Sequence, residues 1–203
     1  MSTTTIIILA AGASTRMGSP KQLLKWENSN LLCHAINTAL NVGDVEVIVV
    51  LGANYKQIQK EIMCLPVTII KNDNWKEGLG NSIAFSISFI KQSLPKTDHV
   101  LVMLADQPLI DSTYLKLLIS KYKQDTTKIV CTLYHQEKSG VPVIFNKAYF
   151  DELLQLNQDK GAKEVLKKHS KDLKFVDGKD VIVDIDTMED YKILYKKHHI
   201  ENR

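Results

Sequence analysis

The chain has 203 residues, of which 44% are hydrophobic and 24% charged, so a collagenous, coiled-coil or disordered polypeptide is excluded. Its 26 basic and 23 acidic residues leave a net charge of +3, too balanced to argue for nucleic-acid or membrane binding from charge. A chain of this length buries a core without disulfides or a structural metal. Cys33, Cys64 and Cys131 are far apart and form no CxxC pair, so the expected setting is the cytoplasm, with each thiol a small buried hydrophobe.

In chain order, apolar runs at Thr5–Ala10, Val45–Leu51, Val67–Ile70, Val100–Leu104 and Ile129–Leu133 are expected to be strands covered on both faces, as in a parallel sheet. Helical patterns separate them at Leu31–Asn41, Tyr55–Met63, Ser82–Gln92 and Tyr114–Lys123. Ser29 or Asn30, then Asn54, then Asp111 or Ser112 stand where caps belong. This alternation predicts a Rossmann-like α/β/α sandwich with right-handed crossovers.

Beyond Ile129 the rhythm changes. A strand at Val141–Phe145, helices at Tyr149–Leu156 and Ala162–His169, strands at Leu173–Val176 and Val181–Ile185, and a helix at Met188–Lys197 are expected. No linker marks a boundary. The chain is expected to be one domain, with residues 1–128 as a nucleotide-binding half and 129–203 as an acceptor-binding half.

Ligands of open α/β sheets bind beyond the carboxyl ends of the strands. Four segments fall there. The first, Leu9-Ala10-Ala11-Gly12-Ala13-Ser14-Thr15-Arg16-Met17-Gly18-Ser19-Pro20-Lys21, offers small residues that let the backbone approach a phosphate. Arg16 and Lys21 add charge to it. It is neither a Walker A loop nor a G-x-G-x-x-G fingerprint. The second, Leu104-Ala105-Asp106-Gln107-Pro108, puts a carboxylate where a divalent cation would neutralise it.

The third, Asp184-Ile185-Asp186-Thr187, places Asp184 and Asp186 on one face of a strand, suited to a second metal carboxylate. Asp186 or Thr187 equally fits as the cap of the last helix. The fourth, Asn74-Trp75-Lys76-Glu77-Gly78-Leu79-Gly80-Asn81-Ser82, precedes a helix and can meet a base, a ribose or a phosphate at that helix N-terminus. Gly140-Val141-Pro142 and Asp159-Lys160-Gly161-Ala162-Lys163 are weaker candidates for an acceptor wall.

These motifs, in this order, resemble the small nucleotidyltransferases with the LAAGxSxRMGxxK signature, and most of all the molybdenum cofactor cytidylyltransferases. The resemblance implies the nucleotide-diphospho-sugar transferase fold with a mostly parallel sheet. It also implies transfer of CMP from CTP to the phosphate of molybdopterin, with Mg²⁺ as cofactor and release of pyrophosphate. By the same resemblance Leu9, Ala10, Ala11, Gly12 and Ser14 lie near the nucleotide, together with Gly78, Gly80 and Ser82. Arg16, Lys21 and Asp106 are then catalytic. Gln107, Pro108, Gly140 and Lys163 contact substrate, and Asp106 with Asp184 or Asp186 holds the metal. Lys163 stands where the family often has Arg.

An acceptor phosphate is anionic at neutral pH, so no general base is required, and no catalytic His, Ser or Cys constellation is present. The alternatives are use of GTP, a sugar or alcohol phosphate as acceptor, or a non-enzymatic molybdenum-cofactor carrier. The expected partners are CTP, a molybdopterin-type acceptor and a recipient molybdoenzyme, with no nucleic acid and no membrane.

Overall fold

The computed structural model describes residues 3–134, 138–157, 161–179 and 181–201. The apolar runs form β1 (Thr3–Ala10), β4 (Val45–Leu51), β5 (Thr68–Lys71), β6 (Thr97–Leu104) and β7 (Ile129–Leu133). With β8 (Ser139–Asn146) and β9 (Leu173–Asp177) they build a seven-stranded sheet in the order β5-β4-β1-β6-β8-β7-β9. Only β8 runs against its neighbours, so the sheet is mostly parallel. Lys25–Trp26 and Ser29–Asn30 make a small hairpin, β2 and β3.

The period-two geometry of β1 explains its unbroken hydrophobicity. Ile6 and Ile8 enter a core with α1 (Leu31–Leu40), α2 (Tyr55–Ile62) and α4 (Ser112–Lys123). Ile7 and Leu9 enter the opposite core with α3 (Leu79–Ser93), α5 (Phe150–Leu153) and α6 (Lys163–Lys168). Ile6, Ile7 and Ile8 are fully buried, each contributing about 1.5–3 kcal/mol. The result is a Rossmann-like three-layer α/β/α sandwich. Among the described residues no helix is long and apolar enough to cross a membrane.

The caps fix where the helices begin. Asn30 accepts from the Cys33 N–H at 2.8 Å and Asp111 from that of Tyr114 at 2.7 Å. Asn54 stands at its cap position in a left-handed conformation but caps nothing with its side chain. Thr187 and Asp190 form a reciprocal capping box for α7 (Met188–Lys196), which leaves Asp186 free of capping duty.

Two expectations are corrected. Helix α3 begins at Leu79, so Gly80, Asn81 and Ser82 belong to its first turn; Gly78, at φ 97°, makes the entry that other residues rarely adopt. Val181–Ile185 is not a strand. Among the described residues β9 pairs only with β7. The segment instead turns at Gly178 and stays at the sheet's carboxyl ends, where the Ile185 N–H bonds the Asp106 carbonyl at 3.0 Å.

Candidate active site

A cleft of about 370 Å³ opens at the carboxyl ends of β1 and β6. One wall is Leu9–Gly12 with Lys21 and Gln22; the other is Trp75, Lys76, Gly78, Leu79 and Ser82; Leu104–Asp106 close it between them. The first and fourth predicted segments therefore face each other.

Gln22 shapes the first wall. It is 3% exposed, and its side-chain amide donates to the Ala10 and Gly12 carbonyls, both at 2.9 Å. Ser14 donates to its Oε1 at 3.5 Å and accepts from the Lys21 N–H at 3.2 Å. Ser14 is left-handed at φ 54°, a strained conformation for a residue with a side chain, which the surrounding bonds hold in place. Gln22 is not among the residues the sequence motifs single out. Its only signal is an amide set between Lys21 and the Leu23-Leu24 pair.

Asn72 is not among them either. Buried at 2% exposure, it donates to Asn81 at 3.0 Å and Ser82 at 3.1 Å, and accepts from the Asn74 N–H at 3.0 Å. It thereby fixes the loop that carries Trp75 to the start of α3.

The floor is ionic. The Lys21 ammonium bonds the Asp106 carboxylate and the Ile185 carbonyl (3.0 Å), and pairs with Asp186 at 3.5 Å. Lys21 and Asp106 side chains are 19% and 15% exposed. The second Asp106 oxygen, Oδ1, is buried with no partner among the described residues. Gln107, also buried, donates to Asp184 at 2.8 Å. Burial holds the Asp184 carboxyl above the usual carboxylate range. Gln107 opposes this, the Asp106 and Asp186 charges add to it, and Lys21 offsets part.

Asp106 and Asp186 thus share one lysine, and Asp184 lies near enough to feel the same charges, which leaves an excess of carboxylates over cations. Among the described residues no three His, Cys, Asp or Glu side chains are arranged to hold a metal by themselves. The hard oxygens of Asp106 and Asp186 suit an ion of the Mg²⁺ type, which takes its remaining ligands from phosphate and water.

Other predicted residues lie elsewhere. Arg16 is exposed on the Thr15–Met17 turn, which left-handed Ser14 and Gly18 flank, and does not line the cleft. Its charge reaches Asp190, whose carboxyl lies below the usual range chiefly through the Thr187 hydrogen bonds. The Pro108 carbonyl accepts from His34 at 3.0 Å. Lys163 lines a separate cleft of about 350 Å³ with Tyr134, Lys138 and Lys167, while its neighbour Ala162 belongs to the core. Gly140 packs under Tyr134, where a Cβ would meet the phenol oxygen at 2.8 Å. Asp159 and Lys160 lie outside the described residues.

Fold and cleft together define a nucleotidyltransferase-class α/β enzyme. A model of the MobA-like NTP transferase domain matches residues 6–173, and the chain belongs to that family. A curated relative, nicotine blue oxidoreductase of Paenarthrobacter nicotinovorans, is 35% identical over 116 residues, covering 56% of this chain and 55% of that protein. The chain thus spans about half the length of that relative. The crystal structure of Rv0371c from Mycobacterium tuberculosis superposes with a TM-score of 0.84 at 25% identity, covering 96% of this chain and 98% of that one. Rv0371c has also been solved in complex with manganese. A CMP:2-keto-3-deoxy-manno-octonic acid synthetase complexed with CTP shares the fold, with a TM-score of 0.78 at 14% identity over 98% of this chain and 100% of that one.

Proposed function

We propose that the protein transfers CMP from CTP to the phosphate of a molybdopterin-type acceptor and releases pyrophosphate, with Mg²⁺ bound at Asp106 and Asp186. The observation that carries this reading is the position of Lys21, which lines the cleft with Asp106 and is held against that carboxylate and the half-exposed Asp186. The motif resemblance supplies the base and the acceptor.

In this reading the Leu9–Gly12 backbone, kept in shape by Gln22, receives the nucleotide. The Gly78–Ser82 turn, kept in shape by Asn72, closes on its other side. Lys21 neutralises charge on the departing pyrophosphate. Bound Mg²⁺ would supply Lewis-acid charge neutralisation at the phosphates. The acceptor phosphate is already a nucleophile, so the residues position rather than deprotonate it. Arg16 joins the triphosphate from the exposed turn. Residues 129–203, with Gly140 and Lys163, serve the acceptor, and the product passes to a recipient molybdoenzyme.

The test is pyrophosphate release with each of the four NTPs, against molybdopterin and against sugar and alcohol phosphates. Release is expected with CTP and molybdopterin; a preference for GTP or for another acceptor overturns that assignment. The 35% identity to nicotine blue oxidoreductase favours one second reading, a redox reaction. Consumption of a reduced nicotinamide or flavin, with no pyrophosphate release under saturating CTP and Mg²⁺, would establish it instead.

A further inference from the structure

We propose that Lys21 is the resident counter-ion of the carboxylate floor, and that nucleotide and divalent metal bind cooperatively because the nucleotide must first draw Lys21 away. The inference rests on the nucleotidyltransferase reading and adds the order in which the site is filled.

An ammonium has three N–H donors and no more. Lys21 has two hydrogen-bond acceptors, Asp106 and the Ile185 carbonyl at 3.0 Å, and an ion-pair partner in Asp186 at 3.5 Å. At most one donor is left for a phosphate. To grip a triphosphate with more than that one donor, Lys21 must loosen its hold on the carboxylates. The two carboxylates it holds are also the pair suited to a divalent cation, and a dication placed on them meets the ammonium at contact distance. Like charges so close in a partly buried site oppose each other strongly. Lys21 and the metal are therefore competitors for Asp106 and Asp186.

The exchange needs only a side-chain movement. The Lys21 backbone is anchored, its N–H bonded to Ser14 at 3.2 Å and its neighbour Gln22 bonded to Ala10 and Gly12. A nucleotide phosphate offers Lys21 a stronger anion in the same cleft. Once it moves, Asp106 is left buried and uncompensated, with its Oδ1 already unpartnered and Gln107 keeping Asp184 close by. That state strongly favours a dication over none. Because the coupling is a free energy between two ligands, each tightens the other by the same factor.

The test uses Mn²⁺ as the probe, its binding followed by the EPR signal of the free ion. Wild type, Lys21→Met and Lys76→Met are compared with and without a non-hydrolysable CTP analogue, after correction for Mn²⁺ bound by the analogue alone. Lys76 lines the cleft but pairs with none of the three carboxylates, so it controls for loss of a nearby charge. The expectation is at least tenfold tighter Mn²⁺ binding by Lys21→Met than by wild type without nucleotide, and a change under twofold for Lys76→Met. Wild type should gain at least tenfold from the analogue and Lys21→Met little.

Equal Mn²⁺ affinity in wild type and Lys21→Met, with the analogue bound but without effect, overturns the inference and leaves the nucleotidyltransferase reading standing. Failure of every nucleotide analogue to bind overturns that reading and the inference with it. If Lys21→Met does not fold, Lys21→Gln, which keeps an N–H donor for Asp106, is subject to the same tenfold expectation.

Discussion

Gln107 donates its side-chain amide to Asp184 at 2.8 Å, joining the loop after β6 to the segment that leads into α7. The bond holds a carboxylate beside Asp106 and Asp186 that would otherwise swing toward water. Burial raises the Asp184 carboxyl above its ordinary range, so the folded protein holds that proton more tightly than the unfolded chain. The resulting stabilisation is complete below the unfolded carboxylate value of about 3.9 and is lost as pH rises through the raised folded value. Asp184→Asn keeps an acceptor for Gln107 and removes the charge. Its melting temperature should match wild type at low pH and exceed it increasingly toward neutrality. A difference that stays flat with pH would remove Asp184 from the buried cluster.

Asp106→Asn retains an oxygen for Lys21 while removing the charge on the floor. Pyrophosphate release should fall by about 10²–10³-fold, the usual effect of deleting one preorganised electrostatic contact. The circular dichroism spectrum should not change. A fully active variant would contradict the role assigned to Asp106.

The parts of this molecule legible in its sequence are those set by local pattern. Ile6–Ile8 reads as a doubly covered strand because both cores claim alternate residues of it. The small-residue loop with Lys21, and Asp106 after β6, read as site residues because strand ends fix where they go. Gln22 and Asn72 were not legible, since each acts through partners that only the fold brings close. Val181–Ile185 has strand composition, but the turn at Gly178 and the Ile185–Asp106 backbone bond carry it away from the edge of β9. Arg16 and Lys163 carry charge suited to the site, but neither lines the cleft at β1 and β6: Arg16 is exposed on its turn and Lys163 lines a separate cleft.

Asn72→Ala removes the two bonds that hold Asn81 and Ser82 and the one that holds the Asn74 N–H. Leaving such buried groups unpaired costs about 1–3 kcal/mol, read as a lower denaturation midpoint. The loosened loop faces the nucleotide, so KM for CTP should rise several-fold while kcat changes less. An equal fall in kcat with unchanged KM would place Asn72 in the chemical step instead.

The three thiols should differ in reactivity in order of exposure. Cys64 is exposed and Cys33 partly so, with its thiol raised chiefly by burial. Burial pushes the Cys131 thiol up to about 12. Only the thiolate alkylates, so iodoacetamide in native buffer should label Cys64 first, Cys33 slowly, and Cys131 only after unfolding. Peptide mass spectrometry reads the order directly.

Gly52 lies where the loops after β1 and β4 meet, next to the Ala53 N–H that bonds the Ala11 carbonyl at 2.9 Å. A Cβ on Gly52 would sit 2.5 Å from the Trp75 Cβ and 2.8 Å from the Ala11 oxygen. Either Trp75 or Ala11 must move, and both line the cleft. Gly52→Ala should therefore lower stability by about 1–3 kcal/mol and weaken CTP binding at least tenfold. Trp75→Gly deletes the atom in closest conflict. Combined with Gly52→Ala it should recover part of the lost stability, giving a favourable interaction in a double-mutant cycle. Binding should stay weak because one cleft wall has lost its ring. If the two changes were simply additive in stability, the clash at Trp75 would not be what makes glycine necessary at position 52.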